Sequence, residues 1–201
     1  MYSLILTDPP WQYTDKASAG KRGAEFKYPC MSISELQDMK PYIDSISAPD
    51  SVMYMWTTGP MLLVAGALLE YWGFTYKTTP FLWIKTNTNP IHPETSVMLE
   101  TVMGDDGMCT TRGDFMGMGN HVRSNGEMVL LGIKGKGIKR VNYAIRQPII
   151  SPRRQHSRKP EEVYQRLEHL YGDIPRIEMF SRCKRPGWDQ HGNQMEMFIT
   201  K

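Results

Sequence analysis

Apolar residues along the chain fall in short runs separated by proline, glycine and polar turns. Ser3 to Thr7 reads as a buried strand that starts almost at the first residue. It stops at Asp8-Pro9-Pro10-Trp11, because two prolines cannot continue a central strand. A polar, basic loop follows from Tyr13 to Tyr28. Ser32-Ile33-Ser34-Glu35 has capping-box spacing and predicts a helix with Leu36 and Met39 turned inward. Val52 to Thr57 predicts a second strand, and Pro60 suits the first turn of a helix carrying Leu62, Leu63, Ala65, Leu69 and Tyr71, with Gly73 as its stop. Thr79 to Ile84 and Glu127 to Ile133 predict further strands. Val163, Leu167, Leu170 and Tyr171 make the apolar stripe of a helix opened by Pro160 and ended by Gly172. Strands are expected at Arg176 to Phe180 and Met195 to Thr200. Alternating strands and helices imply one α/β three-layer domain over residues 1–201, with a mostly parallel sheet, an antiparallel edge and an irregular insertion at about 86–126. Ligands of such sheets sit beyond the carboxyl ends of the strands, where the winding reverses.

With 201 residues, 40% hydrophobic and 22% charged, the composition is that of an ordinary globular protein. Its net charge of +3 says little, but the distribution says more. From Met128 to Pro160 there is no acidic residue, while Lys134, Lys136, Lys139, Arg140, Arg146, Arg153, Arg154, Arg158 and Lys159 fall in that stretch. Such a local excess favours phosphate or carboxylate ligands, although a solvated basic face gives the same pattern. Cys30, Cys109 and Cys183 lack framework or zinc spacing and read as free thiols, and no metal site is expected. The 15 methionines are expected to fill gaps in the core. No basic leader and no apolar run of roughly 20 residues occurs, so a cytoplasmic protein is expected.

Asp8-Pro9-Pro10-Trp11 carries the sharpest chemistry. The nitrogen of an exocyclic amine on a base is a poor nucleophile, because its lone pair is delocalised into the ring. Acceptors on its two N–H bonds hold the group and favour pyramidal geometry as a new bond forms. The Asp8 carboxylate supplies one acceptor and the Pro9 carbonyl another, with Pro10 stiffening the turn and donating no hydrogen bond. Trp11 is expected to offer a flat face on which the base stacks.

The chain resembles the MT-A70 family of adenine N6-methyltransferases, the permuted class in which the catalytic motif precedes the cofactor motif. Asp8-Pro9-Pro10-Trp11 matches its DPPW motif. Tyr28-Pro29-Cys30-Met31-Ser32 with Glu35-Leu36, Trp72-Gly73-Phe74 and Trp83-Ile84-Lys85 match later segments. So do Gly117-Met118-Gly119 with Arg123 and Glu127, His156-Ser157-Arg158-Lys159-Pro160, Ile177 to Arg182, Gly187-Trp188-Asp189 and Gly192-Asn193-Gln194. These blocks keep the family's order over nearly the whole chain. The resemblance implies a Rossmann-like methyltransferase fold and S-adenosylmethionine as methyl donor. The donor already has a good leaving group, so the protein mainly supplies position and electrostatics.

By the same resemblance, Asp8, Pro9, Pro10 and Trp11 form the catalytic set, with Asp8 between donor and target amine. Lys159 would hold the donor's carboxylate, and its place before a helix N-terminus suits an anion. Phe180, Ser181, Arg182, Asn193 and Gln194 would line the donor site, the last three at its ribose and adenine edge. Two departures are expected to matter. Some larger family members carry an upstream segment that helps bind the donor's adenosine, so that wall must be built otherwise here. No G-x-G-x-x-G loop follows the strand ending at Phe180, and Gly117-Met118-Gly119 reads as a turn near the base pocket.

A base inside a duplex is unreachable, so the target adenine must be flipped out or single-stranded. Tyr13, Lys16, Lys21, Arg22, Tyr28 and Arg123 are the candidate substrate contacts, and residues 86–126 the candidate target-recognition segment. The expected partner is nucleic acid, DNA ahead of RNA, with no membrane; a homodimer is left open. RNA adenine, the N4 amine of cytosine, and a non-catalytic nucleic-acid-binding partner of the same fold remain the alternatives.

Overall fold

The computed structural model describes residues 1–13, 29–89, 99–103, 109–117, 121–154 and 158–192. In chain order the elements are β1 (Tyr2–Thr7), α1 (Ile33–Asp38), α2 (Lys40–Ile46), β2 (Ser47–Thr57), a 3-10 turn at Gly59–Met61, α3 (Leu62–Tyr71) and β3 (Thr75–Thr86). There follow β4 (Glu100–Met103), β5 (Cys109–Arg112), β6 (Gly126–Lys134), β7 (Pro148–Pro152), α4 (Glu162–Tyr171), β8 (Arg176–Met179) and β9 (Asp189–His191). Seven strands share one sheet in the order β7-β3-β6-β2-β1-β8-β9. The pairs β1–β2, β1–β8, β3–β7 and β8–β9 are all parallel. The fold is therefore α/β, of the Rossmann-like methyltransferase type. Both edge pairs of this sheet are parallel, and the separate ribbon β4–β5 is antiparallel. No helix among the described residues is long and apolar enough to cross a membrane.

The chain forms two compact units. The first comprises Met1–Thr79, Val129–Arg140 and Asp173–Lys201. Its central strands are buried on both faces: Leu4, Ile5 and Leu6 of β1 and Val52 to Trp56 of β2 are at most 1% exposed. That is why these segments read as continuous apolar runs rather than alternating ones. Leu36, Ile43, Ala65, Leu69, Trp72 and Phe74 pack on them, and the Trp72 indole N–H donates to the Leu36 carbonyl at 2.9 Å. Met53, Met55 and Met179 are fully buried in this core, the place expected for methionine. The capping box forms as predicted, with Ser32 and Glu35 each bonding the other's backbone N–H, and Leu36 is the buried residue of α1. Gly73 stops α3 with φ at +89°.

The second unit comprises Pro80–Met128 and Val141–Gly172. Its helix α4 buries Val163, Leu167, Leu170 and Tyr171 as the stripe predicts, and Tyr164 besides, and Gly172 ends it at φ +73°. Arg166, largely covered, donates to Glu162 at 2.5 Å, to the Arg146 carbonyl and to the Pro148 carbonyl at 2.8 Å.

Three elements depart from the sequence reading. β7 carries proline at both ends and lies at the sheet edge, where missing N–H donors are tolerated. α2 starts on Lys40-Pro41 directly after α1, so the two helices read as one amphipathic segment. The expected strand from Met195 to Thr200 lies outside the described residues, and the last described strand is β9. Within the irregular insertion, β4 and β5 form the antiparallel ribbon.

Candidate active site

Two strands far apart in sequence end side by side in the first unit. β1 and β8 pair in parallel from Leu4–Arg176 to Thr7–Met179. The chain winds outward from β1 to β2 on one side, and from β8 to β9 on the other. The carboxyl ends of β1 and β8 therefore meet where the winding reverses, as expected for a ligand site.

A cavity of about 330 Å³ opens there, lined by Asp8, Pro10, Pro29, Met31, Met39, Phe180, Ser181, Arg182, His191 and Gly192. Its volume lies at the lower end of the range for small-molecule sites, and its walls combine apolar surface with a few convergent polar groups. The turn after β1 is poor in donors. Pro9 and Pro10 have no N–H, the Trp11 N–H donates to the Pro9 carbonyl at 2.8 Å, and the Met31 N–H donates to the Pro10 carbonyl at 2.9 Å. The second bond pins the start of the α1 approach across the β1 end, which brings Pro29 and Met31 to the cavity.

On the β8 side, Phe180 leaves the strand with φ at +60°, the only positive value among the described non-glycine residues. A bulky residue rarely adopts that conformation, and such strain gathers at ligand sites. Here it turns the chain out of the sheet, so that Phe180, Ser181 and Arg182 follow one another along the cavity wall. The Ser181 N–H donates to the His191 carbonyl at 3.1 Å, and its hydroxyl lies 2.9 Å from both Glu178 Oε2 and the Cys183 carbonyl, donating to one or the other. Gly192 closes the loop at short range. A Cβ there would run into the Ser181 carbonyl and lie 2.7 Å from the Ser181 nitrogen, so only glycine lets the two backbones approach.

Of the expected site residues, Asp8, Pro10, Phe180, Ser181 and Arg182 thus line one cavity. Pro9 is buried beneath it. Trp11 corrects the reading as a stacking platform: it is 4% exposed, packs in the core, and donates its indole N–H to the Trp56 carbonyl at 3.2 Å. A ring held on all sides by core residues anchors the turn and has no open face for a base. Tyr13 is half-buried, with its hydroxyl 3.0 Å from Thr58 Oγ1. Arg123 is exposed on the segment before β6. Lys16, Lys21, Arg22, Tyr28, Asn193 and Gln194 lie outside the described residues. Pro29, Met31, Met39, His191 and Gly192 line the cavity without having been assigned to it from sequence.

Lys159 belongs to the second unit, where it forms part of a buried charge cluster. Glu127 accepts from Lys159 Nζ at 2.7 Å on one oxygen and from Lys85 Nζ at 2.5 Å on the other. Burial pushes the Glu127 carboxyl up, but the two ammonium groups, Lys159 first, outweigh it and hold the carboxyl down at about 2. The basic stretch is partly paired as well: Lys134 meets Asp44 at 3.1 Å, while Arg154 and Arg158 both reach Glu161, at 3.3 and 3.1 Å. Cys30 and Cys183 are half-buried and in no disulfide.

A mostly parallel α/β sheet with a small-molecule cavity at the reversal of its winding, lined by an Asp-Pro-Pro turn, is the arrangement of a Rossmann-like methyltransferase fold. Known proteins narrow the class. The MT-A70 family model matches residues 2–114 and 108–194, and the chain belongs to that family. The Type II methyltransferase M.MunI of Mycoplasma sp is 32% identical over 208 residues, which cover 95% of this chain and 76% of that protein. The probable N(6)-adenosine-methyltransferase MT-A70-like of Oryza sativa subsp. japonica is 26% identical over 197 residues, 96% of this chain and 23% of that protein. The N(6)-adenosine-methyltransferase catalytic subunit METTL3 of Homo sapiens is 24% identical over 200 residues, 97% of this chain and 28% of that protein. The chain thus spans about three quarters of the first and about a quarter of the other two.

Proposed function

We propose that the chain is a DNA adenine N6-methyltransferase that uses S-adenosylmethionine. The observation that carries this is the placement of Asp8, at the carboxyl end of β1, in the same cavity as Phe180, Ser181 and Arg182 from the adjacent parallel strand. Family membership and the similarity to a type II methyltransferase support it.

The residues present fit the donor. The cavity combines apolar walls from Pro29, Met31 and Met39 with the carboxylate of Asp8 and the guanidinium of Arg182. When bound, the donor supplies a methyl group on a sulfonium sulfur. The protein's own contribution is orientation. Asp8 accepts a hydrogen bond from one N–H of the target amine. The Pro9 carbonyl already takes the Trp11 N–H, but a carbonyl oxygen has a second lone pair for the other amine hydrogen. Held this way, the amine nitrogen directs its lone pair at the donor, and the acceptors favour the developing positive charge on nitrogen. Arg182, with Asn193 and Gln194, contacts the donor's nucleoside.

The test is to incubate the purified chain with labelled S-adenosylmethionine and either DNA or RNA, digest the product and identify the modified nucleoside. N6-methyldeoxyadenosine is the expected product. N6-methyladenosine in RNA alone would move the substrate to RNA, N4-methyldeoxycytidine would move the target base, and no donor binding by calorimetry would leave a nucleic-acid-binding scaffold.

A further inference from the structure

We propose that His191, oriented by Tyr42, contacts the adenosine end of the donor. This rests on the donor reading of the cavity given above. His191 is the last residue of β9 and lines the cavity. Met179 of β8 pairs with Thr7 on one side and His191 on the other, so the three strand ends form one row. Two inter-strand spacings, roughly 10 Å, separate β9 from β1. Asp8 follows Thr7 and marks the place of the transferred methyl, so His191 meets a part of the donor remote from it.

Tyr42 of α2 sets the ring. Its centroid lies 4.6 Å from that of His191 with the planes inclined by 35°, and its hydroxyl is 3.1 Å from His191 Nδ1. In the tautomer where the phenol donates to Nδ1, the ring hydrogen resides on Nε2, which becomes a donor. Burial raises the Tyr42 hydroxyl above its ordinary value and keeps it protonated for that role. A neutral imidazole backed by a phenol is a weak partner for a carboxylate. It suits a ribose hydroxyl or an acceptor nitrogen of a purine, and the methionine and proline side chains of the same cavity suit a purine face. Neither α2 nor β9 was legible as a separate element in the sequence, so the pair could not be found there.

Calorimetry on the full chain with two probes tests this: S-adenosylmethionine, and 5′-methylthioadenosine, which keeps the adenosine and lacks the amino acid. His191→Ala is expected to weaken both by about tenfold, and to raise KM for the donor more than it lowers kcat. Tyr42→Phe keeps the ring and loses the hydroxyl, and should weaken both by about two- to fivefold. His191→Gln, whose amide nitrogen reaches toward the Nε2 position, should recover part of the loss. If wild type binds both probes and His191→Ala and Tyr42→Phe bind them equally well, His191 has no such role, and the donor reading stands. Loss confined to S-adenosylmethionine would put His191 at the amino-acid end and overturn the assignment. If wild type binds neither probe, the donor reading fails first and takes this proposal with it.

Discussion

Thr7 and Met179 stand opposite each other in parallel register, the last such pair of β1 and β8, so Asp8 and Phe180 leave the sheet as neighbours. Everything chemical in the first unit follows from that pairing of residues far apart in sequence. Asp8 is the carboxylate on the β1 side, half-buried at the cavity. Asp8→Ala is expected to abolish turnover, and Asp8→Asn, which keeps one acceptor and loses the charge, to lower kcat by about 10²–10⁴-fold. Donor affinity should stay within a few-fold of wild type in both, measured by calorimetry alongside product yield. Unchanged yield in Asp8→Ala would sink the assigned role.

Trp11 sits in the same motif but acts on another level. Its ring fills core volume and its N–H satisfies the Trp56 carbonyl. Trp11→Phe keeps an aromatic ring and loses the indole hydrogen bond to the Trp56 carbonyl, which costs about 0.5–1.5 kcal/mol. Trp11→Ala adds a cavity and should cost about 3–5 kcal/mol. Urea denaturation checks both. A Trp11→Phe variant of wild-type stability that had lost only nucleic-acid affinity would restore the stacking role.

The strong local signals were legible in the sequence. The buried runs of β1 and β2, the Ser32 capping box, the glycine stops at Gly73 and Gly172, and the Asp8 to Trp11 turn each have one dominant cause within a few residues. Illegible were features decided by tertiary partners. β7 is tolerated with prolines because of its edge position, and β9 is only three residues long, recruited by β8. The burial of Trp11 depends on a carbonyl 45 residues away. The ion pairs of Glu127 are equally non-local: Lys85 and Lys159 were each visible as motif residues, but their convergence on one carboxylate was not.

Gly192 illustrates a backbone requirement with a functional edge. Its Cα faces the Ser181 backbone so closely that any side chain must push β9 and the Phe180–Arg182 segment apart. Gly192→Ala is expected to lower stability by about 1–3 kcal/mol and to weaken donor binding at least as much as the loss of any single contact residue. Thermal melts and calorimetry on the same sample separate the two effects. Wild-type affinity in a destabilised variant would mean that the strand ends can part without reshaping the cavity.

The Lys85–Glu127–Lys159 cluster makes stability depend on pH in a definite window. The folded Glu127 carboxyl is held at about 2, below its ordinary value of 4.5, because the ammonium groups of Lys159 and Lys85 outweigh the burial that pushes it up. Between those two values the unfolded chain binds the proton and the folded one does not, so stability rises with pH there. The contribution is fully present above about 4.5 and disappears as pH falls through about 2. Its size is on the order of 3 kcal/mol. Glu127→Gln removes the counter-charge and leaves two neighbouring ammonium groups in a poorly solvated site, which should cost about 3–5 kcal/mol at neutral pH. The variant should also lose part of the acid limb, its stability falling less than that of wild type between pH 4.5 and the lowest pH at which the fold survives. Denaturant midpoints across that range give both quantities. Parallel pH curves for the two proteins would show that Glu127 is not the group whose protonation loosens this unit.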